Sequence, residues 1–518
     1  MCKRCFDRRL QQLQAPADGN ACMQRQLPQP PDAGLLNAVR FGTDPFRFLE
    51  GVQSRFESIA AVPIPGRAPL VVVTDPELAH DVLARPPEFR RVAAQGSAQL
   101  IAENGVVQSD GDLWRQQRGI MRPAFAGKQV KRYANTVGER VEELAAEWRD
   151  ADGIGTTIDE DDVDECESER RNLHREMTTL TIRVASEILL GEDVGRERAA
   201  QFHEWMAVAG REFEFSPTTV SPAWLPDRTD PEFREAAEGI RGLAEEIIER
   251  RRAELAGGHA DGNGAGSPRG GDTRSAEGTV GAERPQDMLT LLIEAEDDPG
   301  VEYEPNQIRD EVATFLIAGH ETTALSLTYT LSLLAWHPEA RERVRKEAQH
   351  VFGGGGMDEA SNGSARAETP GYGHVDDLAY AERAYREALR LYPPAWATFR
   401  QTSADVRLGD FRVPDGSAVV LPQYSIQRDG RYFDRPAEFD PDRWEGRSPN
   451  GVPAYFPFAS GPHACIGRNF ALSGATLALS RLTREFDIDV PEDALSDLRP
   501  TPTLRPAGEV PVTIRPAQ

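Results

Sequence analysis

Apolar residues recur at helical spacing over about 129–150, 172–191, 231–255 and 306–336, and again over about 377–391 and 467–485. Each segment predicts a long amphipathic or buried helix. Two short runs break that rhythm: Ile59-Ala-Ala-Val62 and Leu70-Val-Val-Val73 flank Pro65-Gly66 and predict a β-hairpin, with Pro76 opening the next helix. Further short strands are expected around 405–421 and 509–515. The sum is a mainly α fold with a small β region. The longest apolar runs, such as Val312 to Ala318, fall far short of a membrane span, so none is expected.

Three stretches lack periodicity and read as flexible insertions: the acidic run within 157–169, the Gly/Ala/Ser-rich 256–285, and 353–374, which opens on Gly353-Gly-Gly-Gly. None carries enough apolar surface to offset its ordering entropy. Residues 1–34 read as a disordered tail and 35–518 as a single domain, with no internal repeat.

Charge narrows the class. The chain has 84 acidic and 59 basic residues, a net −25, with four lysines and 55 arginines. An acidic, lysine-poor surface suits a soluble cytoplasmic protein of a salt-rich cell, such as a halophilic archaeon, where self-repulsion is screened. A high-GC genome would explain the lysine loss but not the acidity. Nucleic acid is excluded as a partner, because its phosphates would meet a negative surface. Cys2, Cys5, Cys22, Cys166 and Cys465 are odd in number and scattered, so a disulfide framework is not expected. Cys2-Lys-Arg-Cys5 lacks a second pair at zinc-site spacing and reads as tail.

The chemistry concentrates at Phe458-Ala-Ser-Gly461-Pro-His463-Ala-Cys465-Ile-Gly467, just before a helical stretch. Backbone N–H groups and the helix dipole at such a turn favour a thiolate. With no base beside it, Cys465 is a candidate metal ligand rather than a nucleophile. In the middle of the 306–336 helix, roughly 45 Å long at the standard rise, lies Ala318-Gly319-His320-Glu321-Thr322-Thr323. Gly and two threonines are poor helix chemistry, and a locally opened turn is expected there. Glu321 and Thr322 offer a carboxylate and a hydroxyl that could relay protons, or simply a satisfied polar cluster. A zinc-protease reading of His320-Glu321 fails, because position 324 is Ala. Glu387-Ala-Leu-Arg390 can pair within one helical turn, and Pro441-Asp-Arg443-Trp444 follows downstream. Trp114 and Arg118 share a helix face and would suit an anionic group.

These motifs, in this order, resemble the cytochrome P450 family of haem-thiolate monooxygenases. The Cys465 turn resembles its haem-binding loop, Ala318–Thr323 its oxygen-activation motif, Glu387–Arg390 its E-x-x-R helix, and Trp114–Arg118 its W-x-x-x-R helix. The resemblance implies a triangular helical body with a long central helix, and haem between that helix and the one after the Cys loop. It implies haem b on Cys465, with Phe458, Gly467 and Ala318 around it. Trp114, Arg118 and Arg400 would hold the propionates, with His463 where the family usually has arginine. Glu387, Arg390 and Arg443 would lock the Cys loop. Thr322 would hydrogen-bond dioxygen and Glu321 gate proton uptake.

The implied activity is insertion of one oxygen atom from O2 into a hydrophobic substrate, using electrons from an external donor. A peroxide-driven oxygenating enzyme and a non-catalytic haem sensor are the alternatives; the intact Glu321–Thr322 pair argues against both. The expected state is a cytoplasmic monomer. Across 115–140 there are seven basic residues (Arg115, Arg118, Arg122, Lys128, Lys131, Arg132, Arg140) and one acid, Glu139. With Arg468 they could dock an acidic ferredoxin-like donor, or pair internally.

Overall fold

The computed structural model describes residues 25–30, 34–64, 68–92, 99–151, 171–213, 230–260, 287–353 and 369–517. Cys2, Cys5, Cys22, Cys166, Pro65-Gly66, the 157–169 insertion and most of the other two insertions lie outside these residues. Where described, the insertions differ from expectation: helix Pro231–Ala260 continues through 256–260, and Tyr372–Asp377 forms a 3-10 turn. Part of the expected tail is also tied down. Arg25 bridges Phe411, and the Pro28 carbonyl accepts the Ala61 N–H.

The central helix, Gln307–Trp336, is buried along nearly its whole length, as an apolar-all-round sequence requires. It packs against helices Leu173–Ala185, Pro231–Ala260, Ala379–Leu391 and Arg468–Glu485. Gly319 faces the first of these, where a Cβ would make ordinary contact with the Ala185 Cβ at 3.5 Å. The helix runs unbroken through the Gly-Thr segment, contrary to the expected opened turn. Thr322 and Thr323 instead donate to the carbonyls of Ala318 (3.0 Å) and Gly319 (3.2 Å), so their hydroxyls back-bond without displacing the helix.

The main sheet has the order Ile59–Val62, Leu70–Val73, Ala418–Leu421, Thr398–Thr402, Phe89–Arg91. The hairpin pairs Ile59 with Val73 and Val62 with Leu70, and both its strands are fully buried. Phe89–Arg91 and Thr398–Thr402 carry no alternating apolar pattern, and neither is apparent from the sequence. Their pairing sets Arg91 opposite Arg400. A hairpin of Leu498–Pro500 and Leu504–Pro506 brings Thr503 and Arg505 to the central helix.

Candidate functional site

The Cys465 turn is held from four sides. The Phe458 carbonyl accepts the Cys465 N–H at 3.0 Å, and the Gly461 carbonyl accepts the Ala464 N–H at 3.2 Å. Gly461 has φ +71°, and a Cβ there would sit 2.3 Å from the Leu83 carbonyl oxygen, so only glycine fits. His80 meets the Ser460 hydroxyl at 2.6 Å and the Pro453 carbonyl at 2.9 Å. Arg118 donates to the Ala464 carbonyl at 2.8 Å. Gly467 caps helix Arg468–Glu485 near Phe125, whose ring a Cβ on it would meet at 3.9 Å, and the Arg468 guanidinium lies 5.8 Å from the Phe458 ring centroid.

Behind the turn sits a buried lock. Both Glu387 and Arg390 have fully buried side chains, joined at 2.8 and 3.0 Å through the two carboxylate oxygens. Glu387 also accepts from Arg443 Nε (3.1 Å), the Asp440 N–H (3.2 Å) and Trp444 Nε1 (3.0 Å). Arg390 spends its remaining donors on the carbonyls of Gln427, Pro436 and Glu438. The expected triad is thus assembled, and Trp444 joins it as a fourth member. Every polar group is satisfied, the condition under which a buried ion pair is tolerated.

The Cys465 side chain has accessible surface, yet burial pushes its thiol above the ordinary range, against the Gly467 N–H and the charges of Arg118 and Arg468. Ligation by a metal would release that proton and favour the thiolate.

Beside the turn, Trp114, Arg118, Arg400 and His463 come together with Arg91, which the sequence reading missed. The Trp114 and His463 rings meet edge to face at 4.2 Å, and His463 lies 3.7 Å from Asp110. Burial, then Arg91 and Arg400, push His463 down to about 4, so it is neutral at neutral pH. Burial and the neighbouring Arg400 lower Arg91 to about 10, and burial lowers Arg118 and Arg400. Trp114 Nε1 and His463 Nδ1 are buried without a partner. Three guanidinium groups and two orphaned ring nitrogens face one carboxylate. That donor set calls for an anionic group of its own.

In the middle of the central helix, Ile317, Ala318, Gly319, Thr322 and Thr323 are half-buried between fully buried stretches. Phe315 turns aside to stack on Phe125 at 5.9 Å, and Leu504 is fully buried. Glu321 is buried and paired with Arg505 Nε at 2.7 Å, and the Thr503 hydroxyl donates to it at 3.3 Å. Burial works to raise its carboxyl, but Arg505, His320, His174 and His203 together hold it below the usual value.

A family model described as Cytochrome P450 matches residues 28–510. The chain belongs to the cytochrome P450 family. Among its relatives are cyclooctatin synthase of Streptomyces melanosporofaciens, 30% identical over 80% of each chain, and pentalenene oxygenase of Streptomyces avermitilis, 28% identical over 82% of each. Cytokinin hydroxylase of Arabidopsis thaliana is 28% identical over 87% of this chain and 80% of its own. As a cytochrome P450 the protein is an oxidoreductase of the monooxygenase type, and membership implies haem with a cysteine thiolate ligand. The residues present fit that group: a cysteine with accessible surface, and orphaned donors beside it suited to carboxylates. Among the described residues, no helix is long and apolar enough to cross a membrane.

Proposed function

We propose that the protein inserts one oxygen atom from O2 into a hydrophobic, terpenoid-like substrate, with electrons from a separate ferredoxin-like donor. The observation that carries the reading is the donor cluster of Arg91, Trp114, Arg118, Arg400 and His463 beside Cys465. In this reading Cys465 is the metal ligand, and that cluster holds the propionates. Haem ligated by thiolate supplies dioxygen activation when bound, the ligand favouring O–O cleavage. Glu387, Arg390, Arg443 and Trp444 keep the Cys465 turn in register. Thr322, back-bonded to Ala318 through its proton, presents oxygen lone pairs to the pocket. Glu321 holds and releases protons one residue away. The half-buried Ile317, Ala318, Ala395 and Phe399 give the substrate apolar walls, in keeping with the terpenoid names of two relatives.

For the donor we infer a smaller patch than the sequence reading drew. Arg140 is half-buried and paired with Glu143, Glu187 and Asp193; Arg118 is turned inward; Arg115 pairs with Asp112. Arg122, Lys128, Lys131 and Arg132 are exposed, on the segment whose Phe125 lies near Gly467, and Arg468 flanks them. An acidic protein meeting this patch in a chain of net −25 is steered to the cysteine side. The same charge, with 55 arginines to four lysines, supports an origin in a salt-rich cytoplasm. Isotopically labelled dioxygen tests the reaction: with a surrogate ferredoxin system and a cyclic terpene, one labelled atom should enter the product. Product carrying only the oxygen of water would refute it.

A further inference from the structure

Monooxygenation consumes two protons for each dioxygen, one oxygen atom leaving as water, so Glu321 must be resupplied. It is buried, and its partner Arg505 cannot give up a proton at working pH. Three histidines surround it from three helices: His320 on its own, His174 on Leu173–Ala185, and His203 on Gly195–Glu212. His320 is fully buried, and its Nδ1 faces the Leu316 carbonyl, which fixes the proton on that nitrogen. Its Nε2 is left unpartnered, 3.7 Å from Glu321. It can accept a proton there but not pass one through.

His174 and His203 are placed differently. Their ring centroids lie 5.6 Å apart, close enough for transfer through one intervening water; the half-buried His203 is the solvent-side member and His174 Nε2 the enclosed one. His174 Nε2 is a second buried ring nitrogen with no partner. Glu321 is the strongest charge felt by each of these two rings, and since only His320 of the three histidines comes within ion-pair distance of it, the last transfer to Glu321 also runs through a water. An orphaned buried nitrogen carries an uncompensated desolvation cost that an apolar residue would avoid. Two of them around one carboxylate argue against core filling.

We propose that His203 and His174 carry protons from solvent to the Glu321 carboxylate, with Arg505 as the positioning residue that holds Glu321 toward them. Each transfer is balanced within the chain: His203 takes a proton from water on one nitrogen and releases one from the other, His174 repeats this, and Glu321 becomes neutral. Arg505 is fixed from behind, donating to the Met206 carbonyl at 3.0 Å and packing on Gly210, where a Cβ would lie 2.5 Å from its Nη1. Two further charges act on His203, Arg175 lowering and Glu204 raising it, so Glu321 is not its only anion. Tyr329 is pushed well above its ordinary value by burial and donates to the Leu504 carbonyl, and Thr503 donates to Glu321 itself. Burial lowers His174 to about 3 and His320 to about 4, so a proton is not trapped on either ring.

The inference rests on the monooxygenase reading for its purpose, but its first test needs no turnover. Hydrogen exchange at the histidine C2 position, followed across pH on the resting holoprotein, gives the midpoint of each ring. His174 and His203 should titrate below the ordinary 6.5, and Glu321→Gln should move both lower still, since an anion that favours their charged form is gone. Unmoved midpoints would overturn the proposal. In turnover, His203→Gln and His174→Gln should raise the solvent isotope effect and divert electrons to peroxide, slowing product about tenfold with KM unchanged. His203→Glu, which can still titrate, should restore it. Equal behaviour of the Gln and Glu variants would mean a structural role. A wild-type protein without a thiolate-type carbon monoxide spectrum would overturn the parent reading and the relay together; a normal spectrum with unmoved midpoints would overturn the relay alone.

Discussion

Removing the Glu387 carboxylate should disable the Cys465 turn without touching the pocket. In Glu387→Ala five donors lose their acceptor: two from Arg390 and one each from Arg443, Trp444 and the Asp440 backbone. Arg390 is fully buried and would keep an uncompensated charge. Breaking one side of such a pair costs about 3–5 kcal/mol, and each stranded neutral N–H adds about 1–3 kcal/mol. The sum is on the order of the total stability of a domain, about 5–15 kcal/mol. Glu387→Ala should therefore accumulate as protein that does not retain haem. Glu387→Gln keeps the shape and one acceptor oxygen but not the charge. It should fold with a melting temperature lower by about 10 °C. The assay is haem content per chain with thermal melting of both variants. A Glu387→Ala protein with full haem content and a melting temperature near wild type would refute the reasoning.

Three further outcomes follow from the site. Thr322→Val keeps the shape, loses one back-bond worth about 1 kcal/mol, and should leave haem content and melting nearly unchanged while electrons leak to peroxide; tight coupling would contradict the assigned role. Burial pushes Glu311 up to about 8, against the N–H it accepts from Val106 at 3.0 Å. A carboxyl raised in the folded state contributes stability below its unfolded value near 4.5 that is lost as pH rises through 8. Glu311→Gln should thus be more stable than wild type at pH 8 by a few kcal/mol and equal to it near pH 4.5, and parallel denaturation curves at both pH values would refute this. Reversing Lys128 and Lys131 to Glu should slow reduction by an acidic donor at low salt and leave haem content intact, which stopped-flow reduction would show; an unchanged rate would move the docking site elsewhere.

The sequence carried more of the site than of the fold's connectivity. Cys465, Thr322, Glu387 and Arg443 lie in local motifs whose spacing reflects a single turn or helix face, so their neighbourhoods were legible. Arg91 and Arg505 were not. Each sits in a three-residue strand, and only the long-range pairing of Arg91 with Arg400, or of the Leu498–Pro506 hairpin with the central helix, gives it a role. Trp444 was quoted within a motif, but its N–H to Glu387 needed the tertiary approach of two segments 57 residues apart. Helix Gly195–Glu212, which carries His203, went unpredicted. At the Cys465 turn two effects oppose each other: helix polarity favours a thiolate and desolvation opposes it. In the basic run over 115–140, a count of charges does not show which point inward.

The central claim is that Cys465 ligates haem as a thiolate in a pocket built to activate dioxygen. The most direct measurement is the absorption spectrum of the purified protein after reduction and exposure to carbon monoxide, taken beside Cys465→Ser. Wild type should show the strongly red-shifted Soret band that thiolate ligation produces, and Cys465→Ser should lack it. A wild-type band in the position given by neutral nitrogen ligands, in folded and haem-loaded protein, would contradict the account.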